Sequence, residues 1–295
     1  MLFEELIIEK QPIVKMAIDE LISTAIHNQT HPQDVLLIVT HSFYNDTFPK
    51  NFCEIHNLSK FAFGPADIGR SEDTHYEFIA WYFNNYQVNK AKFLKERKKD
   101  NKLFKLEDLS VNIEKSIYLK FWEADMIIKY LYQLSLLCQG IDYDWYFKVP
   151  NYSREGSKQD IIRLEIRDKL KPICPKFYNL LKETYSPQLR NAIAHSQYLF
   201  GNRNIKYLNY SNNLKAFSRI KTLTFDEWAE YFHNTVLIYK ALKDGLNKEK
   251  KRYYKKTLEL GFLETRMTTC EPKEQFRQIY LKDGCEDWTT YNRNT

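Results

Sequence analysis

Apolar side chains recur at helical spacing along most of this chain. In residues 12–28, Ile13, Met16, Ala17, Leu21, Ile22 and Ala25 fall three or four apart, which predicts an amphipathic helix. Residues 34–44 are apolar enough for a buried strand or a helix, and we read them as helix. Gly64-Pro65 and Gly69 interrupt the pattern ahead of a helix expected over about 71–99, which ends in the charge run Lys95-Glu96-Arg97-Lys98-Lys99-Asp100. Polar positions near 100–110 read as a linker. A strong helix follows over about 112–139, with Ile117, Phe121, Ala124, Ile128, Leu131 and Ser135 in one stripe and Gly140 as its C-terminal stop. Another helix begins near Ser157 and is interrupted by Pro172 and Pro175. A short helix follows Ser186, then a polar, aromatic stretch over 200–223. Thr224-Phe225-Asp226-Glu227 has the form of a capping box opening a helix to about Gly245.

These patterns predict an all-α protein with one short hairpin near 203–223. The expected division is an N-terminal helical region 1–110 without assigned role, a helical domain 111–245 and a basic extension 246–295. Only 8 glycines and 9 prolines leave little material for a turn-rich β fold, and no repeat of fixed period is evident. Charged residues make up 28%, and no apolar run reaches the roughly 18 residues a membrane span needs. The acidic start Met1-Leu2-Phe3-Glu4-Glu5 gives no expectation of a signal peptide. The five cysteines are scattered without a Cys-x-x-Cys pair, so reduced thiols and a cytoplasmic protein are expected. His27, His31 and His41 lack carboxylates at useful offsets apart from Asp34, so neither a metal nor another cofactor is expected.

The chemistry concentrates in Arg190-Asn191-Ala192-Ile193-Ala194-His195. Ser186 suits a helix N-cap and Pro187 the first helical position. Asn191 and His195 lie four apart and share a face. Arg190 starts about 140° from His195 but carries a long side chain that can swing round. A cation, an amide and an imidazole then sit near a helix N-terminus, where an anion is already favoured. A second Arg-x4-His run, Arg70 to His75, lacks the asparagine. Its arginine follows Gly69 and precedes a Ser71 cap, which places it outside the helix carrying His75, so we set it aside.

The Arg190–His195 stretch resembles the Arg-Asn-x3-His signature of HEPN domains, an all-helical family that includes many metal-independent RNases of bacterial defence and toxin systems. The helix order over 112–245 is similar to the HEPN bundle, so the resemblance covers about half of the chain. It departs from the nucleotidyltransferase-associated toxins, which place a tyrosine two residues after the histidine where this chain has Gln197. The resemblance implies an RNA endonuclease working as a homodimer, with two motif helices facing one cleft. The products implied are a 2′,3′-cyclic phosphate and a 5′-hydroxyl, and a toxin or anti-phage role with a neutralising or regulatory partner fits the same family.

In that chemistry His195 moves protons, Arg190 holds phosphate oxygens, and Asn191 orients the imidazole or donates to the phosphate. An acidic residue from an earlier helix often joins the site in this family. Glu123 and Asp125 are the candidates, and Asp125 is preferred because it lies closer to the Phe121–Ile128 stripe. The net charge of +6 points to RNA as partner. Lys251, Arg252, Tyr253 and Lys255 are the expected contacts, with Tyr253 and Tyr254 available for base stacking. Two other classes stay open: a non-catalytic module that binds RNA or nucleotide, and a helical interaction protein in which the motif is accidental.

Overall fold

The computed structural model describes residues 1–43, 70–150, 157–212, 219–268, 274–281 and 288–289. The described chain is mostly helical, with small sheets added. It forms two compact units, each assembled from three separate segments, and neither follows boundaries at 110 or 245. The expected breaks at Gly64-Pro65 and Gly69 lie outside the described residues.

The first unit comprises Met1–Ile18, Asp73–Ala124 and Lys176–Ala241. Strand β1 (Leu2–Phe3) pairs in parallel with β2 (Gln87–Val88). Helix α1 (Glu4–Asn28) contributes its first half and begins eight residues before the expected start at Pro12. Pro12 lies inside it and leaves the Ile8 carbonyl without its helical donor, on a residue that is itself exposed. The buried face is Val14, Ala17 and Ile18 here, while Ile13 and Met16 face outward against expectation.

The single helix expected over 71–99 is two. Helix α3 (Arg70–Asn85) ends before β2, and α4 (Lys90–Arg97) restarts where the Asn89 side chain accepts the Lys92 N–H at 2.8 Å. The expected linker at 100–110 is the first half of α5 (Asn101–Glu123), because Asp100 caps it by accepting the Lys102 N–H at 2.8 Å. Helices α8 (Pro175–Thr184), α9 (Pro187–Ala194) and the first part of α10 (Phe225–Leu260) complete the unit. The expected hairpin is a three-stranded antiparallel sheet of β3 (Tyr198–Gly201), β4 (Asn204–Tyr207) and β5 (Thr222–Thr224).

Aromatic rings fill the core of this unit. Tyr118 meets Trp228 edge-on at 5.5 Å, and Phe121 meets Trp122 edge-on at 4.7 Å. Their polar ends are satisfied: Trp228 Nε1 donates to Glu114 at 2.8 Å, and Trp122 Nε1 to Thr235 Oγ1 at 3.3 Å. His233 is a structural histidine. Its ring donates to the Ala229 carbonyl at 2.7 Å and accepts the Phe3 N–H at 2.6 Å. Burial pushes its pKa down to about 3, so it stays neutral.

The second unit comprises Asp19–Glu72, Asp125–Pro175 and Leu242–Thr295. It contains α2 (Asp34–Val39), wholly buried, and α6 (Asp125–Cys138). The strong helix expected over 112–139 is therefore two, separated at Ala124, whose extended backbone ends α5. Gly140 stops α6 as expected: its φ is +68°, and the Ile141 N–H reaches back to the Leu136 carbonyl at 3.0 Å. Helix α7 (Lys158–Asp160) opens on a Ser157/Asp160 capping box and widens into π-helical turns over Ile161–Asp168.

Helix α10 opens on the expected box, with the Glu227 N–H on Thr224 Oγ1 at 3.1 Å, but runs through Gly245 to Leu260. The basic extension expected beyond it holds a sheet instead, with β6 (Leu263–Thr268), β7 (Glu274–Leu281) and β8 (Trp288–Thr289) antiparallel. Arg266 of β6 clasps Asp34 of α2 with two nitrogens, at 3.2 and 2.9 Å, both side chains being buried. Such a pair holds its geometry because either charge left alone there would be costly. Cys138 and Cys174 are free buried thiols with sulfurs 3.9 Å apart, although the sequence spacing gave no sign of a pair.

Candidate active site

Helix α9 is built as its sequence prescribes. Ser186 Oγ accepts the Leu189 N–H at 3.3 Å, and Pro187 takes the first helical position. A core phenol fixes the entry, since Tyr118 Oη accepts the Ser186 N–H at 3.0 Å and donates to the Thr184 carbonyl at 3.1 Å. Gln188, Leu189, Ala192 and Ile193 are buried, so the opposite side, bearing Arg190, Asn191, Ala194 and His195, is what the helix shows outward.

The helix ends at His195. The His195 N–H still reaches the Asn191 carbonyl at 3.0 Å, and Ser196 turns left-handed with φ +53°. The Gln197 N–H then bonds the Ala192 carbonyl at 2.8 Å, which closes the terminus. The imidazole is exposed and sits at the C-terminal end of the helix, not near the N-terminus where the sequence pattern expected it.

Two side chains decide where the Arg190 guanidinium lies. Its Nε donates to Glu123 Oε1, and its Nη1 donates to Asn191 Oδ1 at 2.8 Å. The pair is half-buried, with the arginine side chain 19% and the glutamate 27% exposed. Asn191 thus braces the guanidinium through its side chain and His195 through its backbone.

Of the two candidate acids, it is Glu123 and not the preferred Asp125 that the structure brings to Arg190. The break at Ala124 places Asp125 in the second unit, where it pairs with Lys158 at 2.6 Å, while Glu123 ends α5 and meets Arg190. A continuous helix would have put both on one rod, and the stripe argument assumed one. The expected RNA contacts are also split. Lys251, Arg252 and Lys255 are exposed on α10, but Arg252 pairs with Glu249 at 2.6 Å and covers the Tyr253 ring at 4.9 Å. Tyr253 is 2% exposed and cannot stack on a base. Arg70 is the first residue of α3, not outside it, while the side chains of Arg70 and His75 lie outside the description.

Lys115 is a residue that the motif reading missed. It is 1% exposed, and its Nζ has no hydrogen-bond acceptor among the described residues. The ammonium lies 3.3 Å from the Tyr198 ring centre and 4.1 Å from that of Phe200, two rings of β3 just after the motif. Burial pushes its pKa down to about 7, with Glu114 pulling the other way. The signal was available: Val111, Lys115, Tyr118 and Trp122 follow i, i+4, i+7, i+11, so the helical period already turned Lys115 inward.

No group of three His, Cys, Asp or Glu side chains suited to a metal occurs among the described residues, and no helix among them is long and apolar enough to cross a membrane. Comparison with protein-family models, curated proteins and solved structures finds no match to this chain.

Proposed function

We propose that this chain is a metal-independent RNA endonuclease of the HEPN type, acting as a homodimer in which two copies of α9 line one cleft. One observation carries the reading: a half-buried guanidinium, braced by Glu123 and Asn191, shares the outward side of a capped helix with an exposed histidine. Bracing matters because an arginine already held in place loses little side-chain freedom when it grips a phosphate.

In the cleavage step the ribose 2′-oxygen attacks the adjacent phosphorus and the bond to the 5′-oxygen breaks. His195 takes the 2′-hydroxyl proton or returns one to the leaving oxygen, the partner copy supplying the other role. Arg190 meets the charge that gathers on the non-bridging oxygens. The products are a 2′,3′-cyclic phosphate and a 5′-hydroxyl. A toxin or anti-phage effector with a neutralising partner is the biological setting this chemistry suits. The Glu123 pairing also favours a second reading, a non-catalytic RNA- or nucleotide-binding module, because the carboxylate offsets part of the charge Arg190 offers a phosphate.

The deciding experiment is cleavage of a labelled RNA in EDTA. Wild type should cut and leave the named ends. His195→Ala should slow cutting by ~10²–10⁴-fold with an unchanged circular-dichroism melt. Arg70→Ala and His75→Ala should cut like wild type. A folded His195→Ala protein that cuts at the wild-type rate removes the nuclease reading.

A further inference from the structure

Residues 184–225 contain six lysines and arginines and no aspartate or glutamate. With 38 acids in 295 residues, a stretch of that length would ordinarily carry about five. The stretch spans α9 and the β3–β5 sheet, so the imbalance has a location.

Its cations do not share one fate. Arg190 is taken up by Glu123, and Arg203 by Glu107 and Asp226 at 3.0 and 3.3 Å. Lys206, Arg219 and Lys221 are exposed and have no ion-pair partner among the described residues. They belong to one ribbon. Lys206 pairs across the ladder with Leu199 and Thr222, and the Tyr207 N–H bonds the Lys221 carbonyl at 3.0 Å. No carboxylate in 184–225 neutralises these cations, and a bound polyanion would.

The ribbon is also tied to the motif helix. Gln188 of α9 behaves like a strand partner: its side chain accepts the Ile220 N–H at 2.8 Å and donates to the Ile220 carbonyl at 2.7 Å. Asn209 donates to the Gln188 carbonyl at 3.0 Å, and the Leu208 N–H bonds the Gln197 carbonyl at 2.9 Å. Arg219 and Lys221 flank the clamped Ile220, which ties them to α9 on its Gln188 side. Tyr210, 37% exposed on the same stretch, offers a ring face to an unpaired base.

We infer that the β3–β5 ribbon is the docking face for the backbone of single-stranded RNA, with Lys206, Arg219 and Lys221 as its phosphate contacts and Tyr210 as a stacking platform. The inference takes RNA as ligand from the proposed function, but it concerns binding and not cutting. It replaces the basic end of α10 as the RNA surface.

The test is fluorescence anisotropy with a labelled 20-nucleotide single-stranded RNA, using the full chain with His195→Ala so that nothing is cut. The triple variant Lys206→Ser, Arg219→Ser, Lys221→Ser should lose affinity by at least tenfold. Its plot of log affinity against log salt should flatten by about two, since each phosphate contact on a single strand contributes about 0.7. Lys251→Ser with Lys255→Ser should bind as the parent does. Tyr210→Ala should weaken binding with the salt slope unchanged. Affinity lost in the α10 pair and kept in the folded ribbon triple overturns the inference, as does a parent that does not bind RNA. A ribbon that binds in a wild-type protein that never cuts leaves the inference standing and removes the nuclease. A wild type that cuts RNA while the triple binds as the parent does the reverse.

Discussion

Glu123 and Asp125 are two residues apart and have different employments. Glu123 fixes Arg190, so Glu123→Gln keeps the shape but trades a charged hydrogen bond for a neutral one. Cleavage under single-turnover conditions should fall about tenfold, because hydrogen bonds to charged groups contribute roughly 1.5–3 kcal/mol. Asp125→Asn should leave the rate alone, since its partner is Lys158. A larger loss in Asp125→Asn than in Glu123→Gln would hand the acid role back to Asp125.

Lys115 gives a second residue-level expectation, this one about stability. Its folded pKa of about 7 lies below the ordinary 10.5, so between those values the unfolded chain binds more protons than the folded one. Stability from this group therefore rises with pH across that window and is lowest below pH 7. Lys115→Met removes the buried amine and keeps most of its bulk. It should raise the melting temperature at pH 6, by a gain on the order of 1–3 kcal/mol, and the advantage should shrink toward pH 10. An equal effect at both pH values would show that the amine is not carrying a proton-linked cost.

At the scale of elements, three helix starts were legible in the sequence, while those at Glu4, Asn89 and Asp100 were not. Ser186-Pro187, Ser157 with Asp160, and Thr224 with Glu227 each spell a cap with side-chain chemistry, and each is where a helix begins. The stops were harder. Gly140 was readable because its left-handed turn excludes most side chains. Gly245 was misleading, since one glycine inside a long helix costs only about 1 kcal/mol and α10 absorbs it. The break at Ala124 carries neither glycine nor proline, and the helical period runs through it without a sign. On one continuous helix Asp125 lies nearer the apolar stripe, whereas the break leaves Glu123 beside Arg190. The β6–β8 sheet was invisible because its alternation is short and its strands pair only once the chain has turned.

The end of α9 allows a direct check of this backbone reading. Ser196 holds φ at +53°, a region where a side chain costs energy that glycine avoids. Ser196→Gly should raise the urea midpoint, a gain of about 0.5–1 kcal/mol, with cleavage unchanged. Ser196→Val should lower it by more than that, since branching at Cβ is poorly accommodated there. A loss of stability in the glycine variant would mean that the Ser196 hydroxyl, and not its backbone, is what the turn needs.

For the whole molecule, a composite cleft requires two chains. Leu189, Ala192 and Ile193 of α9 are spent inside their own chain, and Arg190, Asn191, Ala194 and His195 form the outward side that the proposed dimer would use. Light scattering at micromolar concentration should give twice the 35.5 kDa chain mass. Ala194→Arg, which adds bulk and like charge on both sides of a two-fold axis, should yield a folded monomer that does not cut. A monomeric wild type that cleaves RNA would sink the composite site.

The three-segment build of each unit bears on timing during synthesis. At ribosomal speeds of about 5–20 residues per second, the first eighteen residues wait on the order of ten seconds or more for their last partners near residue 241. Until then the motif helix has α5 to lean on but not the helix that follows the ribbon. A nascent chain interrupted before that point carries the whole Arg-Asn-His signature in an unfinished unit. That order of events withholds a finished Arg190–His195 site, the one on which the proposed function rests, until the ribosome has passed residue 241.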